Sequence, residues 1–182
     1  GWGRVAHVGH GATNSGVTLG RSNRAAAGPR PSCFVVGNNQ YAGSTRVAEA
    51  TGEPRLSARG LGFGIPSWKV DGMDPLAVYL AMQEALPHMR AGKGPTMIEA
   101  DTYRYFHQNG SFPGSAFGYR TKDEETQWRP RAPLKQVAGH LRRRGIVRTS
   151  QAHQARRRTT PRRAQHGGVR PAHLPQRHTG PL

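Results

Sequence analysis

The chain has 182 residues, enough for one domain with its own core, and a formal net charge of +17. A single cysteine excludes a disulfide framework or a cysteine metal site, and no apolar run is long enough to cross a bilayer, so no membrane role is expected. All 10 acidic residues lie between Glu49 and Glu125 with 8 Lys and Arg among them, so the basicity belongs to flanks that carry 19 basic residues and no acid.

In chain order, Val5 to Val8 reads as a short strand feeding the turn Gly9-His10-Gly11-Ala12. Between Thr18 and Ser32, Gly20, Gly28, Pro29 and Pro31 oppose a long helix, and arginines fall where an apolar stripe is wanted. Phe34 to Val36 forms a buried strand, with Cys33 before it as an inert thiol. A loop follows at Ala42 to Thr45, a short helix at Leu56 to Leu61 and a strand at Trp68 to Val70. Asp74-Pro75 marks a helix start, with Asp as N-cap and Pro in the first turn. Leu76, Val78, Tyr79, Met82, Leu86 and Met89 then follow helical spacing, and Pro87 is expected to kink or shorten that helix. Gly92-Lys93-Gly94-Pro95 stops it before a strand at Thr96 to Ala100. Strand, helix and strand in this order predict a right-handed parallel crossover.

From Arg142 to Leu182 the chain is mostly Arg, His, Pro, Gln, Gly and Thr, and is expected to be disordered. A GC-rich gene read out of frame near Thr18, restored near Phe34 and slipping again near Leu141 would account for both odd stretches. The absence of an initiating Met, with a site motif so near Gly1, suggests a fragment.

Two short motifs carry chemistry. A Gly-x-Gly turn between a strand and a helix brings backbone close to a ligand and offers N–H groups to a phosphate. Phe34-Val35-Val36-Gly37-Asn38-Asn39-Gln40-Tyr41 ends a strand in amide and carbonyl oxygens, hard ligands suited to Mg²⁺. Together they could grip a magnesium diphosphate.

The wording and order of these motifs resemble the alpha subunit of the thiamine diphosphate-dependent first component of 2-oxoacid dehydrogenases, the family acting on pyruvate, branched-chain 2-oxo acids or acetoin. That family reads Gly-Asp-Gly-Ala, then a helix, then a strand ending Glu-Asn-Asn-x-Tyr. Gly9, Gly11, Ala12, Asn38, Asn39 and Tyr41 match, while His10 stands at the family's Asp and Gly37 at its Glu. Val70-Asp71-Gly72-Met73-Asp74, Gly92-Lys93-Gly94-Pro95, Glu99, Thr102-Tyr103-Arg104-Tyr105 and Tyr119-Arg120-Thr121-Lys122-Asp123-Glu124-Glu125 continue the likeness to about Leu141.

The resemblance implies an α/β thiamine diphosphate-binding fold, a parallel sheet with helices on both faces, incomplete at the N-terminus. The expected division is a partial cofactor-binding domain over 1–141, degenerate at 18–32, and a disordered tail over 142–182. The implied reaction is oxidative decarboxylation of a 2-oxo acid with acyl transfer to lipoamide. It uses thiamine diphosphate and Mg²⁺, in the cytoplasm, with a beta subunit in a heterotetramer and a lipoyl-bearing acyltransferase as partners. The beta subunit supplies the carboxylate that activates the cofactor's aminopyrimidine. Gly9, Gly11, Ala12, Asn39 and His107 are implied cofactor contacts, and His10, Asn39 and Tyr41 metal ligands. His107, in a loop about two residues longer than the family's, is also a candidate for catalysis at the acceptor entrance. Asp71, Asp74, Glu99 and Arg104 are expected to serve as caps and ion-pair partners. His10 is expected to impair the Mg²⁺ site, because imidazole is neutral and suits softer metals. The competing readings are a basic protein binding nucleic acid non-specifically through Arg156-Arg157-Arg158 and Arg162-Arg163, and an inactive subunit fragment.

Overall fold

The computed structural model describes residues 3–28 and 30–147. The elements are β1 (Arg4–Gly9), α1 (Gly16–Ala27), β2 (Ser32–Asn38), β3 (Tyr41–Ala42), β4 (Thr45–Arg46), α2 (Val47–Ala50), α3 (Ala58–Leu61), β5 (Ser67–Asp71), α4 (Pro75–Arg90), β6 (Thr96–Asp101), α5 (Lys122–Trp128) and α6 (Pro133–Arg143). Short 3-10 turns lie at His10–Asn14, Gly114–Phe117 and Arg129–Arg131. The described residues up to Val137 form one compact unit.

Four strands make a wholly parallel sheet in the order β1-β2-β6-β5. Both faces are covered, as a parallel sheet requires. The strand period of two explains how. Phe34 and Val36 of β2 share one face with Met97 of β6 and pack with Ala25 of α1, Leu56 and Ile65. The intervening Cys33 and Val35 share the other face with Ile98 and pack with Ala81, Ala85 and Met89 of α4. The expected parallel sheet between helices is therefore present.

Helix α1 departs from expectation, since the composition of this segment opposes a long helix. Ser15 caps it, its side chain accepting from the Thr18 backbone N–H at 3.4 Å. Only Ser22 and Ala25 are buried, so a narrow contact suffices, and Arg21 and Arg24 point to solvent. Exposed Gly20 costs about 1 kcal/mol relative to alanine, which packing can override. The helix ends at Ala27, before either proline.

Helix α4 starts as expected, Asp74 Oδ1 accepting from the Leu76 N–H at 2.9 Å. It is not shortened at Pro87 but continues to Arg90. Proline forfeits one backbone hydrogen bond there. Buried Ala85 and Met89 hold the last turn on the sheet, and the Ala91 N–H donates to the Pro87 carbonyl at 2.9 Å.

Helix α6 runs two residues beyond Leu141, past the boundary expected for order. The rest of the tail expectation falls mainly on 148–182, outside the described residues. No helix among the described residues is long and apolar enough to cross a membrane.

Candidate functional site

Because the sheet is parallel, Gly9, Asn38, Asp101 and Asp71 all end their strands at one edge. The chain steps from β1 to β2 in one direction and from β5 to β6 in the other, so the strand order reverses between β2 and β6. Ligands of open α/β sheets lie at such carboxyl edges. Gly9 pairs in register with Gly37, so His10 and Asn38 leave the edge side by side. The sheet thus brings the Gly9–Ala12 turn beside the Asn38–Tyr41 turn.

The first turn is tight, the Thr13 hydroxyl donating to the His10 carbonyl at 2.5 Å. A Cβ on Gly11 would lie 2.8 Å from the Cβ of Ala42. The close approach made possible by this glycine is therefore toward the loop of its own chain. Gly9 has open space around its α-carbon, and Ala12 is exposed.

In the second turn the Asn38 and Asn39 side chains both fold back on the backbone. Asn38 Oδ1 accepts from the Gln40 N–H at 3.1 Å, and Asn39 Oδ1 from the Tyr41 N–H at 3.2 Å. These are Asx turns, and between them Gln40 takes a left-handed φ of 68°. The Tyr41 ring is buried, and its hydroxyl donates to Glu124 Oε2 at 2.9 Å.

His10 is 6% exposed, and its Nε2 has no hydrogen-bond partner. Burial holds the imidazole below its ordinary pKa of 6.5; a hydrogen bond with the Gly37 backbone works upward, and the Arg104 guanidinium adds to the lowering. The ring is consequently neutral at pH 7. It faces a cavity of about 220 Å³ shared with Gly11, Asn14, Ala42, Thr45 and Thr51.

This donor set does not fit Mg²⁺. His10, Asn39 and Tyr41 bring one neutral nitrogen and two neutral oxygens, and Arg104 adds positive charge nearby. No cluster of three or more His, Cys, Asp or Glu side chains able to hold a metal ion occurs among the described residues.

The lowered His10 pKa has a consequence for stability. The neutral ring is favoured by folding, so this contribution is complete above the unfolded value of 6.5 and is lost as pH falls through the lowered folded value. Urea midpoints should therefore decline on acidification below about pH 6.5 less steeply in His10→Gln than in the unsubstituted chain. Parallel declines would show that His10 carries no such linkage.

His107 lies in the loop after β6, apart from the residues lining the His10 cavity. Its N–H donates to the Phe112 carbonyl at 2.8 Å, and its Nδ1 accepts from the Asn109 N–H at 3.2 Å. Its ring lies 4.2 Å from that of Phe117 and 5.9 Å from that of Tyr119, which in turn is 5.5 Å from Tyr41. His107 is thus linked to the Asn39–Tyr41 turn only through an intervening ring.

Of the residues expected as caps and pairs, Asp71 and Asp74 are placed as such, whereas the Arg104 Nε has no hydrogen-bond partner and Arg104 joins no ion pair among the described residues. Asp71 Oδ1 accepts from the Met73 N–H at 2.9 Å, and its Oδ2 meets Arg131 at 2.8 Å. Glu99 is fully buried and hydrogen-bonded to Asn38. The sequence reading missed Arg120 as a site component. This guanidinium is 3% exposed and lies 5.4, 5.3 and 5.1 Å from the ring centroids of Tyr41, Tyr103 and Tyr119. Its sequence signal was its place beside Tyr119 in the motif Tyr119-Arg120-Thr121-Lys122-Asp123-Glu124-Glu125.

The sequence is similar to those of known proteins. Residues 4–162 match the model of the family described as dehydrogenase E1 component. The chain is 42% identical over 138 residues to the pyruvate dehydrogenase E1 component subunit alpha of Rhizobium meliloti (strain 1021), covering 75% of this chain and 39% of the relative. It is 39% identical over 144 residues to the subunit of the same name from Staphylococcus aureus (strain Mu50 / ATCC 700699), covering 78% of this chain and 38% of the relative. The matched region thus spans about two fifths of those proteins.

Proposed function

Since the chain belongs to the dehydrogenase E1 component family, among its alpha subunits, we propose that it contributes the diphosphate-binding edge of a 2-oxoacid dehydrogenase, in a form weakened at the metal. The proposed reaction decarboxylates a 2-oxo acid and passes the acyl group to lipoamide, with a beta subunit and a lipoyl-bearing acyltransferase as partners in the cytoplasm. Thiamine diphosphate would supply the carbanion chemistry when bound.

The carrying observation is the juxtaposition of the Gly9–Ala12 and Asn38–Tyr41 turns at the reversal of strand order. Backbone N–H groups of Gly11 and Ala12 are the proposed diphosphate donors, with Gly9 leaving room for their approach. Asn39 Oδ1 and the Tyr41 carbonyl are the proposed cation-facing oxygens, and His10 takes the remaining ligand position without a negative charge. His107 is proposed to act at the acceptor side, where its ring backs onto Phe117 and Tyr119. No step is assigned to Mg²⁺, because the donor set does not suit it.

Co-expression with a beta subunit of the same family tests the assignment. The chain is expected to copurify with it and to show 2-oxo acid decarboxylation well below that of a chain with Asp at position 10. Failure of both the unsubstituted chain and His10→Asp to associate would overturn the subunit assignment. Equal, full activity of both would overturn the weakening.

A further inference from the structure

Glu99 is a carboxylate on the inner strand β6, fully excluded from solvent. Both its oxygens are engaged: Oε1 accepts from Asn38 Nδ2 at 2.9 Å, and Oε2 from the Ser57 backbone N–H at 2.8 Å. Lys69 Nζ is 3.9 Å from Oε1 and closer to Asp101, at 3.1 Å. Lys69 is partly exposed, so the closest fixed partners of Glu99 are two N–H donors rather than a cation.

These bonds determine the orientation of the Asn38 amide. Its NH₂ must face the carboxylate, which leaves Oδ1 to accept from the Gln40 N–H at 3.1 Å. The Asn38 carbonyl accepts from the Thr102 N–H at 2.8 Å, so Asn38 is held from both side chain and backbone. The next residues are the strained Gln40 and the Asx turn of Asn39 onto Tyr41. A left-handed non-glycine residue persists where its surroundings over-determine it.

We infer that Glu99 is a positioning residue: through Asn38 it holds the Asn39–Tyr41 turn in the shape that presents the Asn39 amide oxygen and Tyr41 carbonyl at the sheet edge, while its other oxygen ties that turn to the Ser57 segment. The functional part of this inference rests on the cofactor reading above; the structural part does not. Glu99 touches no reacting group. A buried carboxylate suits this place because it accepts from two converging donors, whereas glutamine must turn an NH₂ toward one of them.

Reversing the hydrogen-bond polarity tests this. In Glu99→Gln, one of Asn38 Nδ2 and Ser57 N meets a donor instead of an acceptor. Adding Asn38→Asp restores every bond. The glutamine amide at position 99 then donates to the new carboxylate at position 38 and accepts from Ser57, while that carboxylate still accepts from Gln40. The negative charge moves by one side chain and is not lost.

The full chain carrying Glu99→Gln should show at least about tenfold faster amide exchange in peptides covering 38–46 than the unsubstituted chain, with peptides of β1 and α4 little changed. The double variant should return exchange to the unsubstituted level. Titration with thiamine diphosphate and Mg²⁺ on the same three proteins should show about tenfold weaker binding for Glu99→Gln and recovery in the double variant. Uniformly faster exchange throughout the chain, or failure of the double variant to recover, would overturn the positioning role. Local loss and recovery of protection with no cofactor binding by any of the three would uphold that role and count against the cofactor reading alone.

Discussion

Replacing His10 with Asp is expected to strengthen magnesium-dependent binding of thiamine diphosphate by about two orders of magnitude, without giving full turnover. The unsubstituted chain offers the cation an amide oxygen, a main-chain carbonyl and a neutral imidazole nitrogen. Mg²⁺ is a hard ion that keeps oxygen ligands and rejects soft ones. A carboxylate about 4 Å from a unit positive charge gains roughly 4 kcal/mol at the effective dielectric of a protein edge, and more from a divalent ion. Desolvating that carboxylate offsets part of the gain, leaving a net effect near 3 kcal/mol, or about a hundredfold. Arg104, already sensed by His10, would help keep the new carboxylate ionised. In the absence of ligand the Asp variant should be less stable, since it exchanges a buried neutral ring for a buried charge. Calorimetric titration with and without Mg²⁺ measures the first effect, and thermal melts with and without cofactor measure the second. Affinities within a factor of about three would sink the weakened-metal argument.

Arg120→Ala should be the more damaging change to the fold, at about 3–4 kcal/mol. Its guanidinium sits among three tyrosine rings, donates to the Arg104 carbonyl at 2.5 Å and to the Tyr119 hydroxyl at 3.1 Å, and is packed against Gly114. An added Cβ at Gly114 would come within 2.6 Å of it. Truncation would remove the contact joining the Gly114 and Tyr119 segments to Tyr41 and leave a void bounded by aromatic faces. Arg120→Lys retains the charge but not the planar fork, and should cost roughly half as much. Urea unfolding of the three proteins reads the difference. A loss below about 1 kcal/mol for Arg120→Ala would mean that the rings close over the gap and Arg120 is dispensable.

Much of the fold was legible because its signals are local. Asp74 before Pro75 marks the start of α4, since a capping carboxylate and a residue lacking N–H suit a helix's first turn. Phe34 to Val36 read as a buried strand and Thr96 to Ala100 as the strand after α4, because both are short, mostly apolar and bounded by turn residues. The order of the Gly9–Ala12 turn, the Asn38–Tyr41 turn and the later motifs carried the family assignment, which the 4–162 match supports.

Other features depended on partners distant in the chain. Composition opposed a helix after Thr18, yet α1 forms because Ser22 and Ala25, with half-buried Ala26 beside them, supply its buried contact and its glycine faces water. Pro87 reads as a helix breaker, but tertiary packing of Met89 carries α4 past it. Sequence showed that a neutral imidazole at His10 replaces an acid in the resembling family; only the folded chain shows that the ring is buried near Arg104, both of which further disfavour its charged form. Glu99 reads from sequence as a pairing residue, but its partners, Asn38 and Ser57, lie 61 and 42 residues away and meet its two oxygens only in the folded chain. Arg120 similarly needed Tyr41 and Tyr103 to surround it. Local sequence could determine strands, caps and turns because their energies arise within a few residues. Ionisation and the satisfaction of buried polar groups depend on what folding brings near them, so only the tertiary structure decided those.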